Sequence, residues 1–68
     1  MDLETLSMFM LASIRNYDYD DHPDNLDRCL YHLNMLYMYY LYHKSVLSWE
    51  IFRNSYQMLL EINPDIVI

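Results

Sequence analysis

Residues 24–43 read DNLDRCLYHLNMLYMYYLYH, and this segment says more about the structure than any other part of the chain. Its apolar residues recur at spacings of three and four, the period of an α-helix. Asp24 suits the N-cap position, and Asp27 would place negative charge in the positive first turn. A helix over about 24–43 is therefore predicted. Its inward-facing positions should be Leu26, Cys29, Leu30, Leu33, Leu36, Tyr37, Tyr40 and Leu41.

A second helix is predicted upstream, over about residues 3–15. Asp2 is suited to cap its N-terminus, and Arg15 places a cation in the last turn, where the helix dipole favours it. Asn16 tolerates the left-handed conformation that commonly ends a helix. The apolar positions at helical spacing are Leu3, Leu6, Met10 and Ile14, with Phe9 broadening the stripe.

A third helix is predicted downstream, over about residues 48–62. With Ser48 as the N-cap, Leu47 and Phe52 occupy the two positions of a hydrophobic staple. The inward-facing stripe should be Ile51, Phe52, Ser55, Leu59 and Ile62. Asn63 and Pro64 end the helix, and the apolar tail over 65–68 is expected to fold back over the open end. Short connections favour antiparallel neighbours, so a small all-α three-helix bundle is predicted, with a helical hairpin as the alternative.

The composition limits the class of protein. A chain of 68 residues makes a single helical domain, 1–68, and its lack of glycine removes the residue that phosphate-binding loops need. A net charge of −6 opposes direct binding to nucleic acid or to anionic membranes, and it favours a basic protein as partner. The lone Cys29 excludes a disulfide scaffold and suits a reducing, cytoplasmic location. No segment is apolar for the roughly 20 residues that span a membrane.

The central helix has more apolar surface than two short neighbours are expected to cover. Outside its inward stripe lies a second apolar face, made of Tyr31, Met35, Met38, Tyr39 and Tyr42. Tyrosine and methionine are enriched at protein interfaces, since tyrosine keeps a usable hydroxyl and methionine adapts its shape. This face is predicted to contact a foreign protein. Two alternatives stay open: a tighter bundle buries the face, or a homodimer pairs it with itself.

An acidic loop is predicted between the first two helices. Its carboxylates and an interleaved tyrosine form the second candidate partner-binding site: Asp18, Tyr19, Asp20, Asp21 and Asp24. Together with Tyr17, Tyr19 suits cation–π contacts with arginine, and the carboxylates complement a basic surface. The cluster also suits mimicry of nucleic-acid phosphates. The plain alternative is a solvated loop that caps the central helix.

Catalysis and metal binding are not expected. From Asn16 to Asp27 the spacing superficially resembles a calcium-binding EF-hand loop, but Asp21 and Pro23 stand where that loop requires a sharp turn and a backbone donor. His32 and His43 lie about 16 Å apart along one helix, so one metal cannot join them. His22, beside Asp20 and Asp21, is the most plausible metal ligand among the histidines, and buried Cys29 should be unreactive. A chain this short also leaves little room for a pocket. We therefore expect no enzyme activity, no metal and no cofactor.

These features predict a small acidic protein–protein interaction module. The leading hypothesis is a stoichiometric inhibitor or modulator that docks its acidic loop and Tyr/Met face on a basic, nucleic-acid-binding surface of a larger protein. The absence of glycine and the scarcity of lysine are typical of accessory proteins of viruses, phages or plasmids. The alternative is a homo-oligomeric structural or regulatory protein.

Overall fold

The computed structural model describes residues 1–67 and contains three α-helices: α1 Leu3–Tyr19, α2 Pro23–His43 and α3 Val46–Ile62. Three residues connect α1 to α2 and two connect α2 to α3, so α2 runs antiparallel to both neighbours. The body measures 32 × 21 × 13 Å. The predicted all-α three-helix bundle is confirmed. No helix within residues 1–67 is long and apolar enough to cross a membrane.

The first helix is one turn longer than predicted. Asn16 is helical rather than left-handed, and its carbonyl accepts a hydrogen bond from the Asp20 N–H at 2.9 Å. The cause is Tyr17, whose ring is buried in the core and whose hydroxyl accepts a 3.1 Å hydrogen bond from Asn63 Nδ2 at the end of α3. This tertiary contact extends α1 through Asp18 and Tyr19. The Asp2 cap is as predicted: Asp2 Oδ1 accepts from the Thr5 N–H at 2.8 Å.

The second helix begins one residue before the predicted start. His22 is its N-cap, with Nδ1 accepting a 3.1 Å hydrogen bond from the Asp24 N–H, so the assignment of Asp24 as N-cap was wrong. Pro23 takes the first helical position, where its missing N–H has no intrahelical partner to lose. Lys44 ends the helix in the left-handed region at φ 52°.

The third helix begins two residues before the predicted start, and its N-cap is Ser45. The Ser48 N–H donates to Ser45 Oγ at 3.1 Å, while the buried Ser48 hydroxyl donates to the Ser45 carbonyl at 2.8 Å. The predicted Ser48 cap was therefore wrong, and so was the hydrophobic staple, because Leu47 is exposed within the first turn. A serine at either position satisfies a helix start, and only the backbone course distinguishes them.

The core lies along the line where the three helices meet. Its buried apolar residues are Leu6, Met10, Ile14, Tyr17, Cys29, Leu33, Leu36, Leu59 and Ile66. Ile66 belongs to the tail, which folds back as predicted, while Val67 is exposed and Ile68 lies outside the described residues. Tyr37 and Leu41 were predicted to face inward but are 39% and 44% exposed. They lie on the flank of α2 that α3 covers only partly.

Candidate protein-binding site

The acidic residues lie at the end of the bundle where α1 finishes and α2 begins. The predicted acidic loop is shorter than expected, since Asp18 and Tyr19 belong to the last turn of α1 and Asp24 to the first turn of α2. Only Asp20, Asp21 and His22 connect the helices. All five predicted binding residues of this end are exposed. The helix ends bring them together around one short connection.

Local hydrogen bonds hold this connection in place. The His22 N–H donates to Asp20 Oδ1 at 3.2 Å, and Asn25 Nδ2 donates to the Asp20 carbonyl at 2.8 Å. Arg28, the nearest cation on α2, donates to Asn25 Oδ1 rather than to a carboxylate. The single ion pair within residues 1–67 joins His22 to Asp24 at 3.7 Å, and it is charged only when His22 is protonated. The acidic end therefore keeps most of its negative potential for an external cation.

The outer strip of α2, defined as Asp24, Asp27, Tyr31, Met38 and Tyr42, faces away from both neighbouring helices. Its members follow one another by three, four, seven and four residues, which keeps them on one side of an α-helix. Tyr31, Met38 and Tyr42 are 63%, 56% and 86% exposed. The alternative that a tighter bundle buries this face is therefore wrong for these three side chains. The strip runs about 27 Å along the helix at 1.5 Å per residue.

Two residues of the predicted Tyr/Met face are less available. Met35 and Tyr39 are half-buried and pack against the core, on the flank of α2 nearer to α1. Tyr39 also stacks on His43, with ring centroids 4.1 Å apart. They lie along the edge of the outer strip rather than among its most exposed residues. The structure thus brings carboxylates and Tyr/Met side chains onto one continuous surface, with the acidic part at its N-terminal end.

Open hollows adjoin this surface, although a chain this short is expected to leave little room for a pocket. The first, of about 670 Å³, lies at the acidic end and is lined by Tyr17, Asp18, Tyr19, Asp21, Ile62 and Asn63. The second, of about 410 Å³, is a mainly apolar groove between α2 and α3, lined by Leu30, Leu33, Asn34, Tyr37, Phe52 and Val67. The carboxylates of Asp18 and Asp21 and the exposed ring of Tyr19 have the chemistry to receive an arginine side chain, whereas the buried Tyr17 is not available for the predicted cation–π contact.

Sequence reasoning missed a polar contact between α1 and α2. Ser13 Oγ lies 2.5 Å from His32 Nδ1 and donates its hydroxyl proton to the Phe9 carbonyl at 2.9 Å. His32 is then the donor to Ser13, since one hydroxyl carries one proton. Burial, and secondarily the Arg28 charge, lower the pKa of His32. Phe9, predicted to broaden the inward stripe, is exposed and lies against the His32 ring. The only sequence feature that indicated this contact was the polar residue His32 within an otherwise apolar run of α2.

The remaining reactive groups are dispersed. Cys29 is completely buried, and burial raises the pKa of its thiol to about 11, so it is a poor nucleophile near neutral pH. Among residues 1–67, no three His, Cys, Asp or Glu side chains are placed to hold a metal ion. Asn16 and Asp18 are helical, so the segment that resembled an EF-hand is not a loop.

No protein-family model, curated protein or solved structure matches the chain.

Proposed function

We propose that this protein binds a larger protein with a basic surface, as a stoichiometric inhibitor or modulator. The acidic end and the outer strip of α2 make the contact together. The observation that carries the proposal is their continuity, because Asp24 and Asp27 lie on the same side of α2 as Tyr31, Met38 and Tyr42. One partner surface can therefore touch carboxylates and apolar side chains at once.

The division of chemistry along the strip favours a specific contact. Carboxylates that form no ion pair with cationic side chains within residues 1–67 attract a basic partner over a distance and orient it, which raises the association rate. Tyrosine and methionine then supply apolar area that stays buried, which slows dissociation. A partner that matches both parts needs a basic patch next to an apolar one.

A nucleic-acid-binding protein is the proposed class of partner. Its basic groove is built to neutralise phosphates, and clustered carboxylates present similar charge without a nucleic acid. Occupying that groove would block nucleic-acid binding in a one-to-one complex. This activity suits a cytoplasmic accessory protein of a virus, phage or plasmid.

The test is affinity capture from a lysate of the source organism with three forms of the protein. They are the natural chain, the triple variant Asp18→Asn, Asp20→Asn, Asp21→Asn, and the single variant Met38→Lys. Met8→Lys is the matched control, since Met8 is an exposed methionine on α1. We expect a basic protein that the natural chain and Met8→Lys retain and that both other variants lose.

The captured protein is then purified and titrated. Its affinity should fall steeply as salt rises, and the natural chain should displace nucleic acid from it at a one-to-one ratio. Affinity that is unchanged between low and high salt, or capture that the acidic and Met38 variants leave intact, would contradict the proposal.

A further inference from the structure

His22 holds the N-terminus of α2 through the lone pair of a ring nitrogen. Its Nδ1 accepts a 3.1 Å hydrogen bond from the Asp24 N–H, the contact that makes His22 the N-cap. A ring nitrogen accepts only when it carries no proton, so the capping imidazole is neutral and has its proton on Nε2. Serine, threonine, asparagine and aspartate are the usual caps. Unlike them, an imidazole takes up a proton within roughly pH 5–8.

The carboxylate of Asp24 lies beside the same ring nitrogen. Asp24 Oδ2 is 3.7 Å from His22 Nδ1, which is too far for a hydrogen bond but close enough for an ion pair. Asp24 therefore offers Nδ1 a backbone donor for its neutral form and a carboxylate acceptor for its protonated form. The two side chains are 61% and 78% exposed, so water reaches the ring and delivers the proton.

Other charged groups at this end of the bundle come from all three helices and the segments that follow them. They are Asp18 and Tyr19 of α1, Asp20 and Asp21 of the connection, Asp27 and Arg28 of α2, and Glu61 and Asp65 at and after the end of α3. Within residues 1–67, only Asp24 forms an ion pair with the ring. Asp20 instead fixes the backbone, since its Oδ1 accepts from the His22 N–H at 3.2 Å.

His32 makes the opposite use of its Nδ1. This nitrogen donates to Ser13 Oγ, so the contact requires a proton on Nδ1 and persists when the ring takes up a second proton on Nε2. The contact of His22 requires an unprotonated Nδ1 and is broken when the ring is protonated. His43, at the other end of α2, stacks on Tyr39. Sensitivity of a helix cap to pH is therefore expected at His22.

We infer that His22 is a pH-dependent cap, in which protonation of Nδ1 replaces the hydrogen bond from the Asp24 N–H by an ion pair with the Asp24 carboxylate. A proton from water binds the Nδ1 lone pair, the Asp24 N–H turns to water, and the new ring N–H donates to Oδ2. The first turn of α2 loses its side-chain cap, and one carboxylate of the acidic end gains a partner within the chain. The inference does not rest on the proposed function, although it implies that acid weakens attraction to a basic partner.

The test is NMR spectroscopy of the full chain, labelled with ¹⁵N, at about pH 8 and about pH 5. At the higher pH, the Asp24 amide nitrogen and His22 Nδ1 should show a scalar coupling across their hydrogen bond. At the lower pH this coupling should be lost, and the Asp24 amide proton should move upfield with the same midpoint as the His22 ring protons. A coupling that is absent at the higher pH, or that persists after the ring is protonated, would overturn the inference.

Two variants separate His22 from the nearby carboxylates and from the other histidines. His22→Asn keeps a cap that does not titrate, so the Asp24 amide proton should stay in place over the same pH range. His43→Asn is the matched control at the opposite end of α2, and it should leave the titration of the Asp24 amide unchanged. Movement of that amide in His22→Asn, or its loss in His43→Asn, would assign the effect to another group and contradict the inference. The protein is measured alone, so the result is independent of whether a basic partner is found.

Discussion

The two faces of α2 are both apolar, yet they have opposite environments. The inner face presents Cys29, Leu33 and Leu36, all completely buried, whereas Tyr31 and Tyr42 on the outer face are largely exposed. Within residues 1–67, α1 and α3 pack against the face of α2 that carries its buried residues. Burial in this protein is therefore set by the arrangement of the helices rather than by how apolar a given residue is.

The residue types on the two faces differ in a way that matches these environments. Aliphatic side chains and a thiol fill the inner face, and they contribute to stability by leaving water. Tyrosines and methionines occupy the outer face, where a hydroxyl remains hydrated and a flexible thioether adapts to a new surface. The inner face should therefore govern folding, and the outer face should govern association.

The largest expected effect follows from truncating the two faces in turn. Leu36→Ala leaves a cavity in the core and should lower the free energy of unfolding by about 2–5 kcal/mol, a large share of what a domain of this size has. Met38→Ala, two residues away on the outer face, should change it by about 0.5 kcal/mol or less. Urea denaturation followed by circular dichroism measures both. Equal losses would show that the outer face is packed after all.

A smaller effect is expected at the border between the faces, where Ser13 meets His32. Ser13→Ala removes the acceptor of the His32 Nδ1 proton, and a half-buried donor without a partner should cost about 1–2 kcal/mol. Ser7→Ala, on a half-exposed flank of the same helix, is the control and should be close to neutral. The same denaturation experiment distinguishes them. A neutral Ser13→Ala would mean that water replaces the hydroxyl.

Tyrosine itself behaves differently in the core and on the strip. Tyr17→Phe removes the hydroxyl that accepts from Asn63 Nδ2, and the loss should be about 1 kcal/mol. Tyr42→Phe removes an exposed hydroxyl and should leave the stability of the monomer unchanged. Thermal melts at low protein concentration measure both, since dilution suppresses any association. A destabilising Tyr42→Phe would contradict the assignment of the outer face to binding.

The smallest effect is a pH dependence that originates at His32. Because burial lowers its pKa in the folded protein below the ordinary 6.5, the unfolded chain binds the proton more readily. The stabilisation by neutral His32 is complete above pH 6.5 and is lost as the pH falls from 6.5 through the lowered value. The urea concentration at the midpoint of unfolding should therefore decrease more between pH 7.5 and pH 5 in the natural chain than in the His32→Gln variant. Equal falls would exclude His32 as the cause.

Helix number, helix order and the polarised charge could be predicted because they depend on local patterns. Apolar spacing identified three helices, and the run of aspartates identified the acidic end. Helix ends were less predictable: Ser45 and Ser48 are both good caps, and Asp24 competes with a histidine–proline start at His22. Cap identity depends on the path of the backbone, which short-range sequence does not specify.

The local sequence of α2 already determines that it is apolar around most of its circumference, since periodicity and residue type are properties of the chain itself. Tertiary structure decided which residues of α2 are the most exposed. Met35 and Tyr39 are half-covered at the edge nearer to α1, while Tyr37 and Leu41 stay partly open beside α3. The physical reason is that a neighbouring helix shields only the sector it touches, and the angle at which helices pack depends on side chains from all three.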